Sequence, residues 1–360
     1  MADGRCPGIG RRIRLSLAFF AAAAVGCKSG DAVNGDTALP DAALADVAAP
    51  DRAAEPVGGM DDATSAGDGP AGPAATAVPS CAGLPATCGR SGDESCCTSL
   101  LVPGGTFYRN GIDYDTATLS DFYLDKFEIT VGRFRAFVNA GRGTQSSPPA
   151  AGAGAHPLIG GSGWDTAWTA SLPADTATLK SLLAAGKYPT WTDAPAENEN
   201  RPQNDINWYL AFAFCAWDSG RLPTDAEADY AAAGGDEQRK YPWGSADADY
   251  TMASYDCMGD GLSGCSVTDL VVVGSKPAGN ARWGHADLSG NIWEWVLDCY
   301  GELQTPCNDC ANLFDPTHRI DRGGGFSNAD TYLAPAYNSS DLAPKQVGPD
   351  IGARCARGKP

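Results

Sequence analysis

The chain has 360 residues, a formal net charge of −18 at pH 7 and 43% hydrophobic residues. That length is enough for one large core or two smaller ones. The acidic balance excludes nucleic acid as a partner, because phosphates require a face of clustered lysine and arginine. Thirteen cysteines are typical of an exported protein, in which an oxidising compartment allows disulfides to form.

The first 26 residues have the pattern of an export signal. Several arginines precede an apolar run, Leu15 to Val25, which is too short for a permanent membrane span. The small residues that follow lead to Cys27, and this junction resembles the lipobox of bacterial lipoproteins, in which the cysteine is lipidated. We therefore expect residues 1–26 to be a lipoprotein signal peptide and Cys27 to anchor the protein in the bacterial cell envelope. Lys28, rather than aspartate, after Cys27 favours the outer membrane, and the alternative is an ordinary signal peptide, which also exports the protein.

Two segments precede the folded domain. Residues 27–80 consist mainly of Ala, Asp, Gly, Pro, Ser and Thr, which bury too little apolar surface to offset chain entropy. We expect them to form a disordered tether that holds the domain away from the membrane. Residues 81–99 are predicted to be a cysteine-rich lead-in with disulfides whose pairing the sequence leaves open. Its cysteines are Cys81, Cys88, Cys96 and Cys97.

The folded domain begins near Leu100 with a predicted strand and helix. Apolar residues alternate from Phe122 to Ile129, which predicts a half-buried strand. From Val131 to Val138 the apolar residues recur at helical spacing. Thr130 can cap this helix and Gly141 can end it.

Three further helices are predicted along the chain. A short helical patch spans Leu179 to Ala185. Apolar residues from Trp208 to Ala216 lie on one helical face, and Gly220 is expected to end that helix. Thr224 caps the next helix, and Glu227 three positions on completes a capping-box pattern.

Four sequence blocks occur in order between Leu101 and Arg357. They read DKFEITVGRF; INWYLAFAFCAW with GRLPTDAEADYAA and YPWG; ADLSGNIWEWVLD; and RIDRGGGF with GARCAR. Together they resemble the formylglycine-generating enzyme family, also called the sulfatase-modifying factor family. The resemblance implies an α+β domain over residues 100–358, a disulfide-stabilised variant of the C-type lectin fold with little regular secondary structure. Ala228 and Ala353 stand where the family has aromatic residues, so we expect the core to be repacked there.

The resemblance also implies a disulfide between Cys215 and Cys355. Closing so long a loop stabilises the fold by about 4 kcal/mol in the chain-entropy model. Two further pairs are close enough in sequence to form local loops: Cys257 with Cys265, and Cys307 with Cys310. The alternative for the CNDC pair at 307–310 is redox cycling, although it lies in a polar loop without a strand-to-helix context. Cys299 is expected to be a buried thiol outside the disulfides.

A calcium site is predicted in the GNIWEW block. Asp287 and Glu294 are hard oxygen donors on either side of a Gly-Asn turn. The resemblance implies that Asp287 and Glu294 supply ligands and that Gly290 and Ile292 supply backbone carbonyls. The alternative is a turn whose carboxylates accept hydrogen bonds from backbone amides. A second calcium site of the family would fall within Ser254–Asp269, where the alignment names no ligand.

The segment after RGGGF argues against copper chemistry. The resemblance implies two copper-binding cysteines here, and alignment on the glycines places them at Asn328 and Leu333. Neither side chain can replace a thiolate, the ligand that suits Cu(I), so copper is not expected. The three histidines are too scattered to predict a zinc site, a Ser-His-Asp arrangement or the histidine-bound iron of the related sulfoxide synthases. They are His156, His285 and His318.

Two functional hypotheses follow. The preferred one is a cell-envelope lipoprotein that presents a calcium-stabilised domain as a binding or accessory module for a peptide, a glycan or an envelope protein. The alternative is a metal-dependent oxidoreductase of the same family, performing formylglycine generation or a related oxidation at a non-standard site. The nearest polar candidates for that chemistry are Arg322, Asn328, Asp330 and Tyr332.

Overall fold

The computed structural model describes residues 78–314 and 316–359. The predicted signal peptide, Cys27 and the tether up to residue 77 lie outside the described residues. Most of the described chain is loop, with short strands, four α-helices and several 3-10 turns. None of the described helices is long and apolar enough to cross a bilayer.

The regular elements are short. The helices are α1 (Val131–Asn139), α2 (Thr176–Leu183), α3 (Trp208–Trp217) and α4 (Asp225–Ala233). The strands are β1 (Ser99–Val102), β2 (Gly105–Tyr108), β3 (Thr116–Leu119), β4 (Phe122–Asp125), β5 (Trp293–Cys299), β6 (Cys307–Asn308), β7 (Arg319–Arg322), β8 (Asn338–Leu342), β9 (Ile351–Gly352) and β10 (Ala356–Gly358).

The described strands form three small sheets. In the first, β4 lies between β1 and β10 and is antiparallel to both. In the second, β3 pairs antiparallel with β2 and parallel with β6. The third has the order β8-β7-β5-β9, in which β5 is buried along its whole length. Because β7 is antiparallel to β5, the WEW and RIDR segments lie side by side.

Local capping explains where the helices begin. The Thr130 hydroxyl accepts the Arg133 backbone N–H at 3.3 Å at the start of α1. Thr224 and Glu227 form the predicted capping box of α4, and Gly234 ends that helix in a left-handed conformation, with φ of 67°. These residues satisfy backbone groups that a helix end otherwise leaves without partners.

Two predictions about these elements were wrong in detail. Helix α3 ends at Trp217, before Gly220, and Ser219 takes the positive φ, 59°. Burial is also not confined to the predicted face, because Trp208–Cys215 are all buried. The strand predicted to continue to Ile129 ends at Asp125, and Phe127, Glu128 and Ile129 are all fully buried in an irregular segment. In both places the chain is covered on all sides, which a one-sided hydrophobic pattern does not anticipate.

The main core packs α1 and α3 against β5 and the C-terminal segment. Phe134 of α1 stacks on Phe214 of α3 with ring centroids 5.6 Å apart. The structure pairs Cys215 with Cys355 across 140 residues, which joins α3 to the end of the chain. The other described disulfides are Cys81–Cys97, Cys88–Cys96, Cys257–Cys265 and Cys307–Cys310. Cys299 is buried and lies outside these five pairs.

Buried charges tie the cysteine-rich lead-in to this core. Arg133 donates to Asp125 at 2.9 Å, to Asp218 at 2.6 Å and to the Ser80 hydroxyl at 3.1 Å. Ser80 is itself buried, and its backbone N–H donates to Asp218 at 2.9 Å. The ordered chain therefore includes Ser80, which the expected boundary at residue 80 had assigned to the tether.

Substituting Glu227 tests the importance of the α4 capping box. Its carboxylate accepts the Thr224 N–H at 2.8 Å and pairs with Arg221. Burial raises the pKa of this carboxyl, but Arg221 and His156 outweigh that effect and lower it to about 2. We expect Glu227→Gln to lower the free energy of unfolding at pH 7 by about 3 kcal/mol.

The effect should depend on pH in a defined direction. Because the folded-state pKa lies below the ordinary value of 4.5, the stabilisation is complete above that pH and is lost as the pH falls towards 2. Urea unfolding of both proteins from pH 7 to pH 3 measures this. Glu237→Gln, which alters a surface pair with Arg239, is the matched control and should change stability by less than about 0.5 kcal/mol. A pH-independent difference would contradict the charge pairing.

Candidate functional site

The GNIWEW and RGGGF motifs pack against each other as one unit. Glu294 of β5 is opposite Arg322 of β7 in the sheet register. The Gly290 N–H donates to the Gly323 carbonyl at 2.9 Å. Gly323 has φ of 98°, and a Cβ there would lie 3.2 Å from the Leu288 carbonyl oxygen. Glycine is therefore required at this crossing by both the backbone conformation and the close approach.

The Arg322 side chain makes buried hydrogen bonds within the fold. Its guanidinium donates to Asp225 at 2.6 Å, to the Pro335 carbonyl at 2.7 Å and to the Asn110 side chain at 2.9 Å. It is almost completely buried. Since all three bonds join separate loops and helix α4, the side chain is committed to holding the fold around the motif.

Asn328, the first position aligned with a copper-binding cysteine, orients a tryptophan. Its Oδ1 atom accepts the Trp293 indole N–H at 2.7 Å and the Gly325 backbone N–H at 2.9 Å. Its backbone carbonyl accepts the Asp256 N–H at 2.8 Å. The amide oxygen thus closes the turn after RGGGF and fixes Trp293 above it.

Leu333, the second aligned position, is a buried apolar contact. It is fully buried with Tyr241, Ala253 and Tyr255. Its carbonyl accepts the Ser289 hydroxyl at 2.7 Å, which links it to the turn before β5. At the two aligned positions, the Asn328 amide is therefore hydrogen-bonded and the Leu333 side chain is buried.

The other two polar candidates do not complete a catalytic set. Tyr332 contacts Trp293 edge-on, with ring centroids 6.0 Å apart, so it shares that ring with Asn328. Asp330 is exposed on the 3-10 turn Asp330–Leu333. Of the four residues proposed for the alternative chemistry, Asn328 and Tyr332 meet at Trp293, whereas Arg322 is engaged in the bonds to Asp225, Pro335 and Asn110.

The space left by Ala228 is almost filled. A cavity of about 20 Å³ remains, with Ala228, Glu294, Arg322 and Gly323 in its lining. That volume is close to the room needed for a single water molecule. Other segments of the same chain therefore pack closely around Ala228.

Glu294 is held by an arginine that the sequence did not single out. Arg354 donates to both carboxylate oxygens of Glu294 at 2.6 Å. Arg354 also donates to the Asp287 carbonyl at 3.1 Å, and the Asp287 carboxylate accepts the Gly274 N–H at 2.6 Å. Two of the expected calcium ligands are therefore joined through one buried cation.

Glu128 is a buried carboxylate that sequence reasoning missed. Its Oε2 accepts the Asn291 side-chain N–H at 2.7 Å, and its Oε1 has no partner among the described residues. Burial, with Asp287 and Glu294 nearby, holds the pKa of Glu128 well above its ordinary range. Burial also raises the pKa of Asp287 to about 6. In the sequence, Glu128 lies between apolar residues in DKFEIT, which could have indicated its burial. The alternating strand pattern instead predicted that its side chain faces solvent.

Several buried carboxyls surround one arginine in this neighbourhood. Three carboxyls, those of Glu128, Asp287 and Glu294, share the charge of Arg354. Within 78–314 and 316–359, no three His, Cys, Asp or Glu side chains are grouped so that they could hold a metal by themselves. The expected calcium set therefore depends on the backbone carbonyls of Gly290 and Ile292. The residues supply hard oxygen donors, but both Glu294 oxygens accept hydrogen bonds from Arg354, and the Asp287 carboxylate accepts a backbone N–H, as expected of the alternative turn.

The second loop considered for calcium is organised by amide hydrogen bonds. The buried Asp269 carboxylate accepts the Gly259 and Ser266 backbone N–H groups, both at 2.8 Å. The Cys257–Cys265 disulfide closes the same loop. This is the arrangement of a carboxylate that caps a turn.

The fold and the paired motifs define a domain of the formylglycine-generating enzyme type. Residues 85–359 match the model of the sulfatase-modifying factor enzyme 1-like domain, and the chain belongs to this family. The family and the α+β fold class predicted from the sequence are confirmed.

The relatives include an enzyme and a chaperone. The chain is 26% identical over 313 residues to a formylglycine-generating enzyme of Thermomonospora curvata, covering 74% of this chain and 95% of that protein. It is 28% identical over 290 residues to the chaperone protein LppX of Paenibacillus barcinonensis, covering 77% and 95%. The structure of PvdO from Pseudomonas aeruginosa superposes with a TM-score of 0.50 at 20% identity, covering 76% of this chain and 99% of that one. That structural likeness shows the fold alone.

Proposed function

We propose that this protein is an exported cell-envelope lipoprotein whose formylglycine-generating-enzyme-like domain is a binding or accessory module without copper–cysteine oxidase chemistry. One observation carries the proposal: the two positions aligned with the copper-binding cysteines are Asn328 and Leu333, and both have structural contacts instead. Copper(I) requires soft ligands such as thiolates. An amide oxygen with two N–H donors and an enclosed leucine provide none.

The buried contacts around the motif agree with a binding role. Arg322 and Asn328 each make several hydrogen bonds that hold loops in place, so the segment resembles a rigid support. Function in a shared fold resides in the site, and the same scaffold can host unrelated activities. Similarity along 95% of a protein named as a chaperone supports an accessory role, whereas equally broad similarity to a formylglycine-generating enzyme supports the alternative. The residues at positions 328 and 333 favour the accessory role.

We further propose that the domain stands on a tether after lipidated Cys27 and presents its loops to a peptide, a glycan or an envelope protein. The acidic composition of the chain makes nucleic acid an unsuitable partner. The small-residue segment before Cys27 and the Ala, Asp and Pro-rich tether after it support this arrangement.

A turnover assay tests the proposal against the oxidase alternative. The full-length protein is incubated with copper or iron, oxygen and a cysteine peptide containing a sulfatase motif, and the peptide is then analysed by mass spectrometry. We expect no oxidised peptide, because no thiolate pair is available at positions 328 and 333. The formylglycine-generating enzyme of Thermomonospora curvata is the positive control. Metal-dependent formation of formylglycine by this chain would contradict the proposal.

We also propose that one calcium ion is held by Asp287, Gly290, Ile292 and Glu294. The partnerless Oε1 atom of Glu128 and the surplus of carboxyls over Arg354 support this assignment. A bound cation would offset the charge that burial makes costly and would stiffen the turn before β5.

Removing calcium should therefore destabilise the domain in a pH-dependent way. Chelation with EGTA at pH 7.5 is expected to lower Tm by about 5 °C, if calcium had been near one hundred times its Kd. Without the ion, burial of charged carboxylates lowers the free energy of unfolding at high pH. This loss disappears as the pH falls through about 6, the pKa of Asp287, because the carboxyl is then protonated. The chelator effect should accordingly shrink near pH 5.

Elemental analysis provides an independent readout. The wild-type protein and the Asp247→Asn control, which alters an exposed carboxylate, should carry one calcium per chain. Asp287→Ala should carry none. An unchanged Tm after chelation together with no bound calcium in the wild-type protein would refute the assignment.

A further inference from the structure

A cavity of about 160 Å³ lies between helices α1 and α3 and the loop that follows α1. Phe137 and Trp217 provide aromatic walls, and Ala213 and Ala216 of α3 provide a flat apolar surface. Pro148 completes the lining on the loop side. This cavity shares no lining residue with the GNIWEW or RGGGF segments.

The loop that covers the cavity is held in place. The Arg142 N–H donates to the Phe137 carbonyl at 3.1 Å. Gln145 is tied at both ends, because its backbone N–H donates to the Pro173 carbonyl at 2.9 Å and its side chain donates to the Leu172 carbonyl at 2.9 Å. Further along, the Ala153 carbonyl accepts the Trp164 N–H at 2.9 Å. The cavity is therefore formed by ordered walls.

Gly143 allows this loop to approach the aromatic wall. It has φ of 73°, and a Cβ at this position would lie 2.6 Å from the Phe137 ring. The conformation and the contact both favour glycine. The loop consequently passes directly over Phe137 and leaves the space beside Trp217 open.

An uncompensated cation lies at the edge of this apolar space. The exposed Arg142 guanidinium makes one side-chain hydrogen bond, to the Ser147 hydroxyl at 3.1 Å. It pairs with no carboxylate in the described part of the chain, whereas Arg133 and Arg135 of the neighbouring helix both do. A guanidinium with spare donors therefore lies beside this cavity in an acidic protein.

We propose that this cavity binds a carboxylate that carries a phenyl-sized apolar group. Its volume of about 160 Å³ is comparable to that of an enclosed apolar cavity of roughly 150 Å³ that accepts benzene. The ligand's ring would pack beside the contacting Phe137 and Trp217 rings, whose centroids are 5.4 Å apart, and the carboxylate would accept hydrogen bonds from Arg142. A guanidinium that has spare donors recognises a carboxylate better than a neutral acceptor. Both a free aryl carboxylic acid and a peptide with a C-terminal phenylalanine have this chemistry.

Calorimetry with matched ligands tests the proposal on the full-length protein. We expect saturable binding of 3-phenylpropionate, about tenfold tighter than binding of the neutral 3-phenylpropanamide, because the amide lacks the charge that pairs with arginine. Arg142→Gln should remove this preference. Arg90→Gln, which alters an exposed arginine outside the cavity, should retain it. Ala153→Leu, which places a larger side chain in the lining, should weaken both ligands.

Peptides distinguish the two sources of the ligand. If Ala-Ala-Phe with a free C-terminus binds at least as tightly as 3-phenylpropionate, and its C-terminal amide does not, the occupant is a peptide end. If the free acid alone binds, the occupant is a small molecule. Absence of saturable binding up to about 10 mM, equal affinity for acid and amide, or an unchanged preference in Arg142→Gln would overturn the proposal. None of these outcomes depends on the oxidase question.

Discussion

The buried guanidinium of Arg354 is the interaction on which the arrangement of the domain depends. It pairs with Glu294 of β5 and donates to backbone carbonyls at the end of β4 and in the turn before β5. These partners lie 60 to 229 residues away in the chain. A buried charge is tolerated only when its hydrogen bonds are satisfied. The Arg354 guanidinium therefore fixes the position of each segment that supplies one of its acceptors. The adjacent Cys355 extends the same constraint to α3 through its disulfide.

This constraint is compatible with the proposed loss of the family's copper–cysteine chemistry. Glu294 and Gly290 of GNIWEW are engaged with Arg354 and Gly323, and Asn328 closes the turn that follows RGGGF. Each residue is therefore required for packing, whether or not a metal is bound nearby. In the proposed arrangement, Asn328 and Leu333 have structural contacts at the positions aligned with copper ligands.

Sequence reasoning worked best where the determinants are local. Thr130, Thr224 and Glu227 were read correctly because a helix cap involves residues within one turn. The predicted apolar face of α3 was too narrow, because tertiary packing buries all of Trp208–Cys215.

The site was harder to predict because it depends on distant chain segments. Glu128 and Arg354 approach the turn before β5 only through tertiary packing, and neither had a recognisable spacing to Asp287. The pairing within the cysteine-rich lead-in was likewise inaccessible, since four cysteines allow several connectivities. Only the folded chain brings Cys81 to Cys97 and Cys88 to Cys96.

The copper(I) affinity of the full-length protein tests the central claim most directly, namely that the segment after RGGGF is structural. Competition with a chromophoric Cu(I) chelator under anaerobic conditions measures it, and a variant with Cys6→Ser, Cys27→Ser and Cys299→Ser controls for the cysteines outside the five described disulfides. We expect the chelator to remove all Cu(I) from both proteins. Retention of one Cu(I) per chain by both proteins would contradict this expectation, because it would show a copper site that does not require cysteines at positions 328 and 333.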